Sequence, residues 1–227
     1  VNTGATVVPL DKELSEEEIA DLIGRSGSSV LIHSENYDEE AEFAAEKING
    51  LRTVSLGKKK SSDTTITALL DQGKDILSTG TDKYSGIELD REKVCSILFT
   101  SGTTGKSKGV MLCHRNLAAN VVSACENVKF EPDDVAVSIL PIHHSYEDMC
   151  GIFGPMNYGS CIAFCEEIKR LPDALALFKP TIMVLVPLYV ETFYRKIWSA
   201  AKEKGQESKL KMGIKIGDAL AAVGIDI

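Results

Sequence analysis

Positive charge is in short supply in this sequence: 25 lysines and arginines stand against 33 aspartates and glutamates, for a formal net charge of −8. A nucleic-acid partner needs a basic face opposite its phosphates, so none is expected. Long apolar runs are missing too. Nothing approaches the ~20 residues of a membrane span, and no charged-then-apolar leader opens the chain. Cys95, Cys113, Cys125, Cys150, Cys161 and Cys165 include no C-x-x-C pair. Most lie in apolar or helical patterns, where free cysteine packs as a small hydrophobe. Reduced structural thiols in the cytoplasm are therefore expected, and no zinc site.

The remaining composition is that of a globular domain, 44% hydrophobic and 26% charged over 227 residues, enough for one large core or two small ones. One stretch organises the reading: Phe99-Thr100-Ser101-Gly102-Thr103-Thr104-Gly105-Lys106-Ser107-Lys108-Gly109. Glycines allow positive φ and bring backbone N–H groups close to a ligand, hydroxyls donate hydrogen bonds, and lysines add charge. This is the composition of a cradle for phosphates. Gly105-Lys106-Ser107 also completes the second half of a G-x-x-x-x-G-K-[ST] P-loop, although the leading glycine would fall at Thr100. A P-loop-like NTPase or phosphotransferase, and a non-catalytic nucleotide-binding module, are the alternatives.

Along the chain, strands and helices alternate. Residues 5–9 and 29–32 read as strands, separated by a helix that Ser15 and Glu18 open as a capping box and Gly27 ends. A helix over 38–48 and a strand over 51–56 follow. Residues 57–63 read as a solvated loop, 66–77 as a helix and 78–86 as linker. Residues 94–99 carry too little polar alternation for a surface strand and read as a buried central one. Ligands in open α/β sheets gather beyond the carboxyl ends of such strands. Residues 110–112 are extended, and Leu117, Val121, Ala124 and Val128 recur at helical spacing just after His114.

Residues 131–134 read as a turn between two sub-domains. A strand over 135–140 leads to Pro141-Ile142-His143-His144-Ser145-Tyr146. Neighbouring histidines on an extended chain point to opposite sides, so one at most faces a given cleft. Strands over 160–164 and 181–186 flank a helix over 167–178. Val190, Phe193, Tyr194, Ile197, Trp198 and Ala201 then form one helical stripe expected to be core. Residues 208–217 mix lysines with apolar residues, as a membrane-surface patch or a segment that packs on further chain would.

The loop resembles the T-S-G-T-T-G-x-x-K-G phosphate loop of the adenylate-forming superfamily, which includes acyl-CoA synthetases, luciferases and peptide-synthetase adenylation domains. That family usually has proline where this chain has Ser107, which removes stiffness but no contact. A second family motif, L-P-x-x-H, matches Leu140, Pro141 and His144, with Tyr146 beside it. The stretch V-P-L-Y-V-E-T-F-Y resembles long-chain fatty acyl-CoA synthetases. The resemblance implies an α/β fold of two doubly wound, mostly parallel β/α sub-domains, residues 1–131 and 132–227, the second truncated. It further implies an AMP-forming acid–thiol ligase acting on a carboxylate, fatty acid foremost, with ATP, Mg2+ and coenzyme A.

The same resemblance assigns Thr100, Ser101, Gly102, Thr103, Thr104, Gly105, Lys106 and Lys108 to the nucleotide, with His144 and Lys108 as catalytic candidates. Motifs expected later in the family, including Gly-x-Thr-Glu, the ribose aspartate and the adenylation lysine, have no counterpart here. The chain is therefore expected to be an internal fragment of an N-terminal domain that does not complete adenylation alone.

Overall fold

The computed structural model describes residues 3–57, 64–82, 84, 86–100, 107–222 and 224. These fall into two units, residues 1–182 and 183–227.

In the first unit, helix α1 (Glu16–Ser26) starts as its sequence dictates. The Glu18 N–H donates to Ser15 Oγ at 3.4 Å, and the Ser15 N–H donates to Glu18 Oε2 at 3.0 Å. Gly27 ends the helix with φ 65°, a left-handed turn that costs glycine nothing. Strand β1 (Val30–His33) lies one residue later than expected. Helix α2 (Asp38–Lys47) leads to β2 (Arg52–Ser55), and the brief β3 (Thr64–Thr65) precedes α3 (Ile66–Ser78). These three strands form a parallel sheet in the order β1-β2-β3. Ile19, Ala20 and Ile23 of α1 pack with Ala44 of α2 and Leu51, the core of this portion.

Strand β4 (Val94–Thr100) is followed by β5 (Lys108–Cys113), and the two pair antiparallel. The expected strand over 5–9 reduces to one bridge at Val7, which lies parallel on the other edge of β4. There the Val7 N–H donates to the Cys95 carbonyl at 2.9 Å, and the Ile97 N–H donates to the Val7 carbonyl at 3.0 Å. So β4 is flanked on both sides, as its apolar run requires, but its main partner is a hairpin neighbour. Helix α4 (His114–Asn127) follows at once, buried along Leu117, Val121 and Cys125.

The turn at residues 131–134 is closed by the Asp134 N–H donating to the Glu131 carbonyl at 3.0 Å, and it leads into β6 (Val135–Ser138). A π-helical segment, Glu147–Phe153, runs into the short α5 (Gly154–Tyr158). Strand β7 (Cys161–Phe164) pairs parallel with β6, and α6 (Leu171–Phe178) leads to β8 (Ile182–Met183), giving the order β7-β6-β8. The strand expected over 181–186 is therefore only two residues long. Its partner β6 has four residues, and Pro187 already opens the next helix.

Cys95, Leu117, Val121, Cys125, Phe130 and Met149 form the second core cluster, with Leu112, Cys150, Phe153 and Ile182 against it. It joins the β4–β5 hairpin, α4 and the π-helical segment. All six cysteines are free, and burial pushes the thiols of Cys95, Cys125 and Cys150 up. A small-hydrophobe role accounts for the buried Cys95 and Cys125 within this cluster.

The second unit holds α7 (Pro187–Glu203) and α8 (Glu207–Ala222). The stripe on α7 was expected to be core, but no α7 residue is buried; Val190, Tyr194 and Ile197 are exposed. In this unit α8 is the helix that packs on α7, with Lys211 Nζ 5.9 Å from the Trp198 ring centroid. On α8 the exposed Met212 and Ile216, four residues apart, share a face, whereas Ile214 lies on the opposite one. Among the described residues no helix is long and apolar enough to cross a membrane.

Candidate active site

The hairpin decides the geometry of the glycine-rich loop. Thr100, the last residue of β4, and Lys108, the first of β5, are register partners, and both are exposed. These two residues therefore stand one strand spacing, about 5 Å, apart. Ser101, Gly102, Thr103, Thr104, Gly105 and Lys106 lie outside the described residues. The P-loop alternative needs Gly-Lys-Ser to open a helix whose N-terminus faces the phosphates. Here Gly105-Lys106-Ser107 leads directly into a strand instead.

Gly109 faces Phe99 across the hairpin, and a Cβ there would lie 3.2 Å from Phe99 Cε1 and 3.1 Å from Ile97 Cγ2. The residue has to be small for the Phe99 ring to lie against β5. Arg25, at the end of α1, reaches the same place: its Nη2 donates to the Ser107 carbonyl at 2.5 Å, and its guanidinium stands 5.5 Å from the Phe99 ring centroid.

His144 occupies the turn after β6. Its N–H donates to the Pro141 carbonyl at 3.0 Å, and its own carbonyl accepts from the Asp148 N–H at 3.1 Å. The side chain is exposed. The expectation that the paired histidines point apart is corrected. Because residues 142–144 form a turn and not a strand, the two rings lie against each other with centroids 4.3 Å apart. His143 is half-buried, and its Nε2 lies 3.4 Å from Asp11 Oδ2. Burial holds His143 below the usual histidine value, partly opposed by the Asp11 charge. Among the described residues His144 shares no hydrogen bond with Thr100 or Lys108; the structure brings those two together and leaves His144 on a separate loop.

Three acidic features of this region were not found from sequence. Glu147 is 0% exposed and its two carboxyl oxygens have no hydrogen-bond partner. Burial pushes its carboxyl up. Gly151 faces it: a Cβ there would lie 2.6 Å from the carboxyl. Burial also pushes Asp148 to about 6. Both lie in the first turn of the π-helical segment, and such turns recur at functional sites. A run of Glu-Asp next to an apolar stretch carries no sequence signal for it. Nor does any spacing reveal Asp11 as the partner of His143.

The α/β chain therefore combines two parallel sheets with an antiparallel hairpin that carries the glycine-rich stretch, and it holds the histidine turn after β6. The sequence matches the family described as AMP-binding enzyme over residues 1–224, and the chain belongs to that family. It is 30% identical over 229 residues to long-chain-fatty-acid–CoA ligase 5 of Rattus norvegicus, covering 91% of this chain and 32% of that protein. It is 38% identical over 122 residues to the peroxisomal long chain acyl-CoA synthetase 7 of Arabidopsis thaliana, covering 52% of this chain and 17% of that one. A crystal structure of a long-chain-fatty-acid-CoA ligase (FadD1) from Archaeoglobus fulgidus superposes with a TM-score of 0.72 at 23% identity, over 87% of this chain and 38% of that chain. The expected α/β fold and adenylate-forming family are borne out. The chain spans a third or less of the length of these curated relatives.

Proposed function

We propose that this chain supplies the nucleotide-phosphate loop and the acyl-site histidine of an AMP-forming acid–thiol ligase whose acid is a long-chain fatty acid. The observation that carries the reading is the hairpin that sets Lys108 opposite Thr100, the two described ends of the stretch that resembles the adenylate-forming loop. Family membership supports the nucleotide, and the names of the relatives support the acid and the coenzyme A thiol. The division at residue 131 into two sub-domains belongs to the same proposal. So do a cytoplasmic location and a peripheral contact of residues 208–217 with a membrane.

The chemistry requires a carboxylate to attack the α-phosphate of ATP, bringing one anion onto another and releasing pyrophosphate. The acyl group then passes to the thiol. Fixed donors offset that repulsion more effectively than water, because they need no reorganisation as charge shifts. Thr100, Ser101, Thr103 and Thr104 supply hydroxyls, Gly102 and Gly105 supply backbone N–H groups, and Lys108 supplies a charge held on a strand. Lys106 adds a second charge from the loop itself. His144, an imidazole on an exposed turn, orients the carboxylate or lines the thiol path. Mg2+ would accompany the nucleotide and offset its phosphate charge; among the described residues no group of three or more His, Cys, Asp or Glu is placed to hold a metal ion.

The test is calorimetric ATP titration of the full-length protein with Lys108→Ala and Lys106→Ala. A charged hydrogen bond is worth about 1.5–3 kcal/mol, so Lys108→Ala should weaken binding at least about tenfold, and more than Lys106→Ala does. Acid-independent ATP hydrolysis abolished by Lys106→Ala alone would overturn the reading in favour of an NTPase.

A further inference from the structure

Arg25 lies on α1, outside both motifs, yet it grips the loop at both ends. Its Nη2 donates to the carbonyl of Ser107, 82 residues away in sequence, while its guanidinium lies over the ring of Phe99. Phe99 comes immediately before Thr100, and Ser107 immediately before Lys108. Gly109 completes the arrangement, since any Cβ there would crowd the Phe99 ring. Arg25 Nη1 also donates to Asp21 Oδ2 at 3.1 Å, one turn back on its own helix. A helix-end cation paired at i,i+4 explains the Asp21 contact. It does not explain a hydrogen bond and a ring contact to a distant hairpin. Serving all three requires a planar fork of donors with a face that stacks, which arginine has and lysine lacks.

We infer that Arg25 is a positioning residue for the nucleotide loop, an external brace that holds the Ser107 peptide and the Phe99 ring in fixed relation. The loop carries Ser107 where the adenylate-forming pattern carries proline. Proline narrows the conformers of such a loop from within by fixing its own φ. The Arg25 bond to the Ser107 carbonyl restricts the same peptide from outside. The identification of the braced loop as a nucleotide loop rests on the function proposed above; the brace itself rests on the contacts alone.

The experiment compares wild type, Arg25→Gln, Arg25→Lys, Asp21→Asn and Arg25→Gln/Ser107→Pro in the full-length protein. Amide hydrogen exchange over residues 100–109 is read without nucleotide, and ATP affinity by calorimetry. Arg25→Gln should raise exchange and weaken ATP binding, each by about tenfold, with an unchanged unfolding midpoint. Arg25→Lys should not restore either, Asp21→Asn should leave both as in wild type, and adding Ser107→Pro should recover most of the loss. Unchanged exchange in Arg25→Gln, an equal effect of Asp21→Asn, or no recovery with Ser107→Pro would overturn the brace. If Arg25→Gln does not fold, Arg25→Lys decides on the same readouts. Wild type that binds no ATP would remove the nucleotide reading, while the exchange comparison would still decide the brace.

Discussion

Asp148 illustrates how a single residue near the site can set a pH response. Its carboxyl, held at about 6 by burial, binds a proton more readily in the folded chain than in the unfolded one. Its stabilising contribution is thus complete below the ordinary aspartate value and is lost as pH rises through about 6. Glu147, also pushed up by burial, acts with the same sign. His143 acts in reverse: its value lies below that of a free histidine, so its contribution is present at higher pH and is lost as pH falls. Asp148→Asn is expected to flatten the decline in stability between roughly pH 4 and 6 that wild type shows. Urea unfolding midpoints at a series of pH values in both proteins check this, and parallel curves would refute it.

Among the elements, α1 does two jobs. It buries Ile19, Ala20 and Ile23 in the first core, and it carries Arg25 to the hairpin. Its start depends on reciprocal bonds between Ser15 and Glu18. Ser15→Ala is expected to lower stability by about 1 kcal/mol, read as a shift in the denaturant midpoint with an unchanged slope. Because Arg25 sits in the last turn, fraying at the first turn should leave the Ser107 contact in place. A change in slope would instead mean that α1 unfolds on its own. The hairpin shows the opposite relation between sequence and structure. The apolar run over 94–99 announced a strand and residues 110–112 an extended stretch, but nothing local announced that the two pair antiparallel.

At the scale of the whole molecule, one hydrophobic cluster holds both motifs. Cys95 and Leu112 belong to the hairpin, Met149 and Phe153 to the segment that follows His144, and Phe130 packs in the same cluster. A Cβ on Gly154 would lie 3.1 Å from the Phe130 ring, which shows how closely α5 approaches it. Phe130→Ala is therefore expected to cost about 3–5 kcal/mol, measured by equilibrium unfolding. A loss near that of an exposed substitution, under about 0.5 kcal/mol, would show that the cluster does not hold the two motifs together.

Local features of this protein were legible in the sequence because they depend on neighbours along the chain. The Ser15–Glu18 cap, the Gly27 stop and the helices α1, α2, α3, α4, α6 and α7 follow from backbone chemistry within a few residues. The loop motif and the histidine motif together pointed to the family for the same reason. What only the folded chain decided involves residues far apart in sequence: Arg25 on Ser107, Asp11 on His143, and the antiparallel pairing that sets Lys108 opposite Thr100. The stripe on α7, read as core from its period, is half-buried at Phe193, Trp198 and Ala201 and exposed at Val190, Tyr194 and Ile197, since a helical period shows which residues share a face and not what covers that face. Glu147 became a buried, unpartnered carboxyl only through a π-helical turn, a consequence of packing that no local pattern specifies.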